Sequence, residues 1–262
     1  MSQKIKAPND KNRSFLWGIV ALVVICVLFI GFMVFNGRKS ADVDLSAADV
    51  SFSVSVEDGV VQLRSGDDND ASTAEVFEDY SCHYCAELVD VDGDSMKAAL
   101  EDGDLNVDLH TVNFVSGSDP ASTRTGAVAM AIADTGNAGA FWAFHEKAFE
   151  DQTTVARDWG FDELADAAEQ LGVEDSVVES IRDESVVDTY KPLLDANSEE
   201  LNERMDGQAA TPALYVDGES YAIERDPEDP EKMKNWVPDV IAGNSGSEES
   251  DAATESESAD SE

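Results

Sequence analysis

Cys82-His83-Tyr84-Cys85 follows directly on an acidic and apolar run, Val76-Phe77-Glu78-Asp79-Tyr80-Ser81. No other feature restricts the fold and chemistry of this chain so strongly. The remaining cysteine, Cys26, lies in an apolar stretch near the N-terminus, so the polar part of the chain holds two thiols and no third to pair with. Two cysteines separated by two residues, where a strand passes into a helix, form the arrangement that thiol–disulfide exchange uses. A purely structural Cys82–Cys85 bridge would close so short a loop that it would constrain the unfolded chain little. Zinc needs four ligands, which these cysteines and three dispersed histidines supply poorly, so no metal or other cofactor is expected.

Between Arg13 and Arg38 there is no charged residue. At about 1.5 Å per residue, an uncharged helix over 14–36 spans a hydrocarbon core of about 30 Å. Lys4, Lys6, Lys11 and Arg13 precede it, and only Arg38 and Lys39 follow closely. That bias predicts a cytoplasmic segment over 1–13 and everything beyond the span outside a cell membrane crossed once. A cleaved signal peptide would have a shorter apolar region ending in small residues, whereas Phe32-Met33-Val34-Phe35 is bulky to its edge. Val24-Ile25 ahead of Cys26 lacks the small residue that lipoprotein processing needs, so Cys26 reads as one more apolar residue of the anchor.

Residues 37–49 read as a polar linker and 50–242 as one folded domain, for which a hydrophobic content of 42% suffices. Alternation at Val50, Phe52, Val54, Val56, Val60, Val61 and Leu63, with Asp58-Gly59 between the runs, predicts a hairpin. A buried strand is expected over 74–80, a helix over 82–100 interrupted around Asp92-Gly93-Asp94, and a second strand over 105–114. Helical periodicity then dominates from about 120 to 206, with Gly172 and Pro192 as punctuation. Strand signals return at Ala213-Leu214-Tyr215-Val216, followed by an Asp217-Gly218 turn, Ser220-Tyr221-Ala222-Ile223 and a last helix over 231–241. Residues 243–262 are small, polar and acidic, and read as a disordered tail. A net charge of −39 argues against nucleic acid or an anionic membrane surface as partner.

The order strand, Cys-x-x-Cys helix, strand, helical block, hairpin, helix resembles that of the DsbA-like thiol–disulfide oxidoreductases, particularly membrane-tethered actinobacterial forms. The pieces that carry the resemblance are Val76 to Cys85, His110-Thr111-Val112-Asn113-Phe114, Phe141-Trp142-Ala143-Phe144-His145-Glu146-Lys147-Ala148-Phe149, and Ala210-Thr211-Pro212-Ala213-Leu214-Tyr215-Val216-Asp217-Gly218. It implies an α/β fold, a thioredoxin-like core with a helical insertion, beside the one N-terminal transmembrane helix. It also implies that Thr211-Pro212 is a cis-proline loop facing the cysteines, with the Thr211 backbone open to a substrate strand. The chain departs from the family pattern at His83, where proline is usual, and at Val76, where a buried glutamate often stands. Both positions bear on redox potential rather than on fold.

At a helix N-terminus Cys82 is expected to be the attacking thiolate, with Cys85, one turn further in, as the resolving thiol. His83 either stabilises that thiolate or shapes substrate contact, and Tyr84 caps the site or packs against it. Glu78 and Asp79 can tune a thiol or relay protons, or they are solvated charges at a strand end. His110 and His145 read as packing residues. The expected function is oxidation of cysteine pairs in exported proteins outside the membrane, with a membrane thiol oxidase regenerating the Cys82–Cys85 disulfide. A reductase or isomerase, and a redox-silent thioredoxin-like chaperone or adaptor, are the alternatives.

Overall fold

The structure is a computed structural model that describes residues 20, 22 and 23, 45–66 and 71–243. The segments expected as cytoplasmic N-terminus, transmembrane anchor, most of the linker and acidic tail fall outside the described residues. Among the described residues no helix is long and apolar enough to cross a membrane.

The domain is built on a six-stranded sheet of β1 (Ser53–Glu57), β2 (Val60–Arg64), β3 (Ser72–Glu78), β4 (Leu105–Thr111), β5 (Ala213–Val216) and β6 (Glu219–Tyr221), in the order β1-β2-β4-β3-β5-β6. Only β3 and β4 run parallel, joined through α1 (His83–Asp102); the other pairs are antiparallel. The strand next to the cysteines is therefore central, between β4 and β5. β4 has alternating sequence, yet both its faces are covered, since parallel strands sit between layers. His110 consequently stacks on Phe77 with ring centroids 4.3 Å apart.

Asp58 and Gly59 both adopt positive φ (50° and 87°), the two-residue turn whose twist suits a hairpin, and Asp217-Gly218 repeats it. Between β4 and β5 lie α2 (Ala121–Asp134), α3 (Ala138–Glu150), a π-helical turn (Thr153–Asp158), α4 (Phe161–Gln170), α5 (Asp175–Arg182) and α6 (Ser185–Arg204). Gly126 lets α2 approach its neighbours closely, because a Cβ there would stand 3.0 Å from Thr111 and 3.2 Å from Leu194. Buried Asn197 ties α6 to the sheet by donating to the carbonyls of Gly59 and Thr111 at 2.9 and 3.0 Å. A last short helix, α7 (Val237–Ile241), closes the described chain.

Five local expectations need correction. α1 is continuous through Asp92-Gly93-Asp94, because Asp92 is buried and accepts the Trp236 indole N–H at 2.5 Å. β4 ends at Thr111 rather than 114. Gly172, with φ 76°, does follow a helix end, but Pro192 lies inside α6. Pro192 and Asp188 are exposed, so water can reach the carbonyl that the proline leaves unpaired. Of the last expected helix only Val237–Ile241 forms, with Pro238 in its first turn, where the missing N–H costs nothing. Finally, residues 45–49 are not free linker: the Ala48 N–H donates to the Gly139 carbonyl at 2.9 Å. A Cβ on Gly139 would stand 2.3 Å from the Ala48 oxygen, so glycine is required there.

Candidate active site

Cys82 caps the N-terminus of α1 with extended backbone, its N–H held by the Asp79 carbonyl at 2.8 Å. The strand-to-helix turn thereby places its sulfur where the first N–H groups of the helix converge. Across from it the Thr211–Pro212 peptide is cis, and the Cys82 thiol donates to the Thr211 carbonyl at 3.3 Å. Loop and cysteine meet although 129 residues separate them. Both cysteines are free thiols and both are buried, Cys82 with 5% of its surface exposed and Cys85 with 1%.

The two thiols are electrostatically unlike. The Cys82 pKa is pulled down to about 6, chiefly by a hydrogen bond from the Cys85 thiol, against burial, which works the other way. The Thr211 hydroxyl and the backbone N–H groups of Cys85 and Tyr84 add to the lowering. Cys85 is pushed well above the ordinary thiol range by burial, by its hydrogen bond to Cys82 and the charge there, and by the charge on Glu78. One sulfur is thus kept ready as thiolate and the other as thiol.

Glu78 and Asp79 are not solvated charges. They are 2% and 0% exposed, because the strand end that carries them lies under the helical insertion. Both oxygens of Asp79 are engaged: Oδ1 takes the Ser81 N–H at 2.8 Å and the Ser122 hydroxyl at 2.6 Å, and Oδ2 takes the Val115 N–H at 2.9 Å. Burial raises its pKa and these bonds work to lower it. Asp79 therefore pins the cysteine turn to the start of α2. Glu78 instead meets His145 of α3 at 2.9 Å in the interior. Burial alone would depress the His145 pKa, but the Glu78 charge and hydrogen bond raise it, which favours the charged imidazole beside the carboxylate. His145 is thus more than a packing residue. His110, whose pKa burial lowers, packs as expected, with Glu75 and Glu200 at 3.8 and 3.7 Å.

His83 and Tyr84 lie outside the buried site. Both are exposed, Tyr84 by 52%, and their rings tilt against each other at 5.8 Å. Tyr84 caps nothing; the Arg225 guanidinium lies over its ring at 5.9 Å. Two contacts left no mark in the sequence. Gln152 donates to the Cys82 carbonyl at 2.8 Å and Arg157 to the Ser81 carbonyl at 2.6 Å, from residues at and beside the π-helical turn. Among the described residues no cluster of ligating side chains could hold a metal ion.

The family model described as thioredoxin matches residues 60–239. No curated protein sequence matches the chain. Among solved structures, the MdbA thiol-disulfide oxidoreductase of Corynebacterium diphtheriae is 30% identical, covers 79% of this chain and 99% of its own, and superposes with a TM-score of 0.65. That of Corynebacterium matruchotii is 31% identical over 67% of this chain and 89% of its own, with a TM-score of 0.64. MdbA of Actinomyces oris, at 19% identity, 74% and 89% coverage and a TM-score of 0.55, shares the fold. A cysteine pair split into thiolate and thiol, the cis-proline loop across from it and these likenesses agree: the chain belongs to the thioredoxin family and is a DsbA-like thiol–disulfide oxidoreductase.

Proposed function

We propose that this enzyme works outside the cell membrane, held by a helix over 14–36, and oxidises cysteine pairs in exported proteins. The observation that carries the exchange chemistry in this reading is the contrast between Cys82, with a pKa of about 6 beside the Thr211 carbonyl, and Cys85, held as a thiol behind it. In the oxidised enzyme a substrate thiolate attacks the Cys82 sulfur; the Cys82–Cys85 bond breaks and Cys85 leaves with the electron pair. A second substrate thiolate attacks the substrate sulfur of the mixed disulfide. Cys82 is released as thiolate, and the substrate departs two electrons poorer, with its own disulfide formed. The substrate strand runs along the Thr211 backbone, with His83 and Tyr84 at the rim of the contact. A membrane thiol oxidase then takes the two electrons from the dithiol and restores the bridge.

Cys85 must gain a proton as it leaves, since its pKa lies far above neutrality. Of the two acids beside it, Glu78 is the one fit to help. Its charge reaches Cys85 and its carboxylate meets the His145 imidazole, whereas Asp79 is held by three hydrogen bonds that fix the cysteine turn.

The direction is tested by mixing the oxidised domain with a reduced, unfolded protein. Stoichiometric transfer of the disulfide is expected, and rapid insulin reduction with little oxidation would overturn the oxidising role. The location is tested by protease added to intact cells, which should degrade the Cys82 domain. Full protection would reverse the topology.

A further inference from the structure

In a chain with 56 acidic and 17 basic residues, a cation outside any ion pair is an exception. Most of the described lysines and arginines, Arg182 and Arg204 among them, stand at ion-pair distance from carboxylates. Arg157 does not, among the described residues. Its guanidinium is turned instead to the cysteine turn, where Nη2 donates to the Ser81 carbonyl at 2.6 Å. Its own carbonyl accepts from Arg124 at 2.9 Å, which fixes its backbone to α2.

Arg157 forms one wall of a recess of about 220 Å³, completed by Ser81, Val115, Ser116, Asp119 and Ala121. Ser81 immediately precedes Cys82 and is only 3% exposed, yet its hydroxyl has no hydrogen-bond partner. A buried hydroxyl left so is costly unless something in the recess uses it. Ser116 is already committed, since its hydroxyl donates to the Asp119 carbonyl at 2.6 Å and accepts the Ser122 N–H at 3.1 Å. The available donors are therefore the Arg157 guanidinium and the Ser81 hydroxyl. Val115, 40% exposed, offers apolar surface beside them. Asp119 opposes an anion here, but its Oδ1 is occupied by the Ala121 N–H at 2.9 Å.

The geometry points to a subsite that receives a carboxylate side chain of the substrate, near its reactive cysteine, between Arg157 and the Ser81 hydroxyl. A monoanion on a short methylene stem suits the recess: the charge meets the guanidinium and the stem lies on Val115. The residual charge of Asp119 disfavours a dianion. The inference rests on the thiol–disulfide exchange reading and adds the substrate class to it. In a protein whose net charge repels acidic segments in general, such a site would select the acidic ones that bring their carboxylate to one position.

The test uses a series of reduced two-cysteine peptides in which a single Glu, or Gln as its match, is moved through the positions flanking the first cysteine. Oxidation by the enzyme is followed as kcat/KM. At one position Glu should exceed Gln by about tenfold, as a charge-assisted hydrogen-bonded pair allows. In Arg157→Gln that ratio should fall towards one. In Asp119→Asn, which keeps the bond to Ala121 and removes the opposing charge, it should rise. The ratio should also shrink as salt is added. Glu–Gln ratios within about twofold at every position, no more than an exposed ion pair supplies, overturn the subsite. So does a preference that survives Arg157→Gln, or one that does not rise in Asp119→Asn. The Gln peptides report on the exchange reaction itself: if they are oxidised normally and no Glu preference exists, only the subsite fails, whereas if no peptide is oxidised, both fail.

Discussion

Replacing Cys85 separates two sources of the low Cys82 pKa, the partner thiol and the helix N-terminus. The partner thiol is the larger influence in the structure, ahead of the Thr211 hydroxyl and the backbone N–H groups. A hydrogen bond to a charged acceptor contributes about 1.5–3 kcal/mol, and a thiol is a weak donor, so the lower figure applies; it corresponds to about one pKa unit. Cys85→Ala should therefore move Cys82 from about 6 to about 7. Cys85→Ser keeps a donor of similar reach and should leave it near 6.

The quantity to follow is the midpoint of the pH profile of alkylation, with the thiolate's ultraviolet absorbance as a second readout. Rates at a single pH are a poor measure. At pH 6 a one-unit rise cuts the thiolate fraction from about a half to about a tenth, but the more basic thiolate is about threefold more nucleophilic, so the two effects largely cancel. An alanine variant that titrates with the wild-type midpoint would refute the assignment to the Cys85 thiol. The Thr211 hydroxyl and the backbone N–H groups of the helix N-terminus would then carry the effect.

Two further outcomes follow from the buried acids. Glu78→Gln leaves His145 in the interior without its counter-charge, which should cost about 3–5 kcal/mol or force the imidazole neutral. Chemical denaturation gives the cost, and the histidine titration followed by NMR distinguishes the two results; an unchanged stability with an unchanged His145 pKa would contradict the pair. Asp92 is raised by burial to about 7, far above an unfolded carboxyl at about 3.9. The folded state therefore binds the extra proton between these values, and stability should fall as pH rises through that window, by a few kcal/mol at most. Asp92→Asn, which can still accept from Trp236, should flatten the fall; a wild-type profile that climbs from pH 5 to 8 at this site would show the sign to be wrong.

What the sequence shows and what it hides divide along a physical line. The hairpins were legible because Asp-Gly turns and alternation are local signals, and the central strand because its apolar run ends at the cysteines. The helix through Asp92-Gly93-Asp94 was not, since the partner that lets Asp92 be buried is Trp236, 144 residues away. Glu78 and His145 illustrate the same limit. Each alone is a polar residue in an apolar setting, and only the fold, which stacks α3 on the strand end, makes them a pair. Gln152 and Arg157 sit in a stretch without hydrophobic period, a π-helical turn that no pattern announces. Local rules find the elements; partners at long range decide which charges can be buried in them.

The thiolate also bounds how much of the enzyme's direction comes from the site itself. Lowering a thiol from about 8.5 to about 6 stabilises the reduced form at pH 7 by roughly 1.4 kcal/mol, an upper value because water at the mouth of the site screens it. For a two-electron couple that is about 30 mV. The interval from thioredoxin, at about −270 mV, to DsbA, at about −120 mV, is five times as wide. Cys85 adds nothing at neutral pH, since it is protonated in the reduced protein whatever its exact pKa. The Glu78 charge acts on Cys85, which stays protonated at neutral pH, and is not among the main influences on Cys82. Thiolate stabilisation thus tilts the disulfide towards oxidising its substrates without deciding the matter. An oxidising role then depends on the location and on the recharging oxidase proposed above. Outside the membrane no glutathione or thioredoxin pool holds thiols reduced, and even a modestly oxidising Cys82–Cys85 pair can be kept in its disulfide form by that partner.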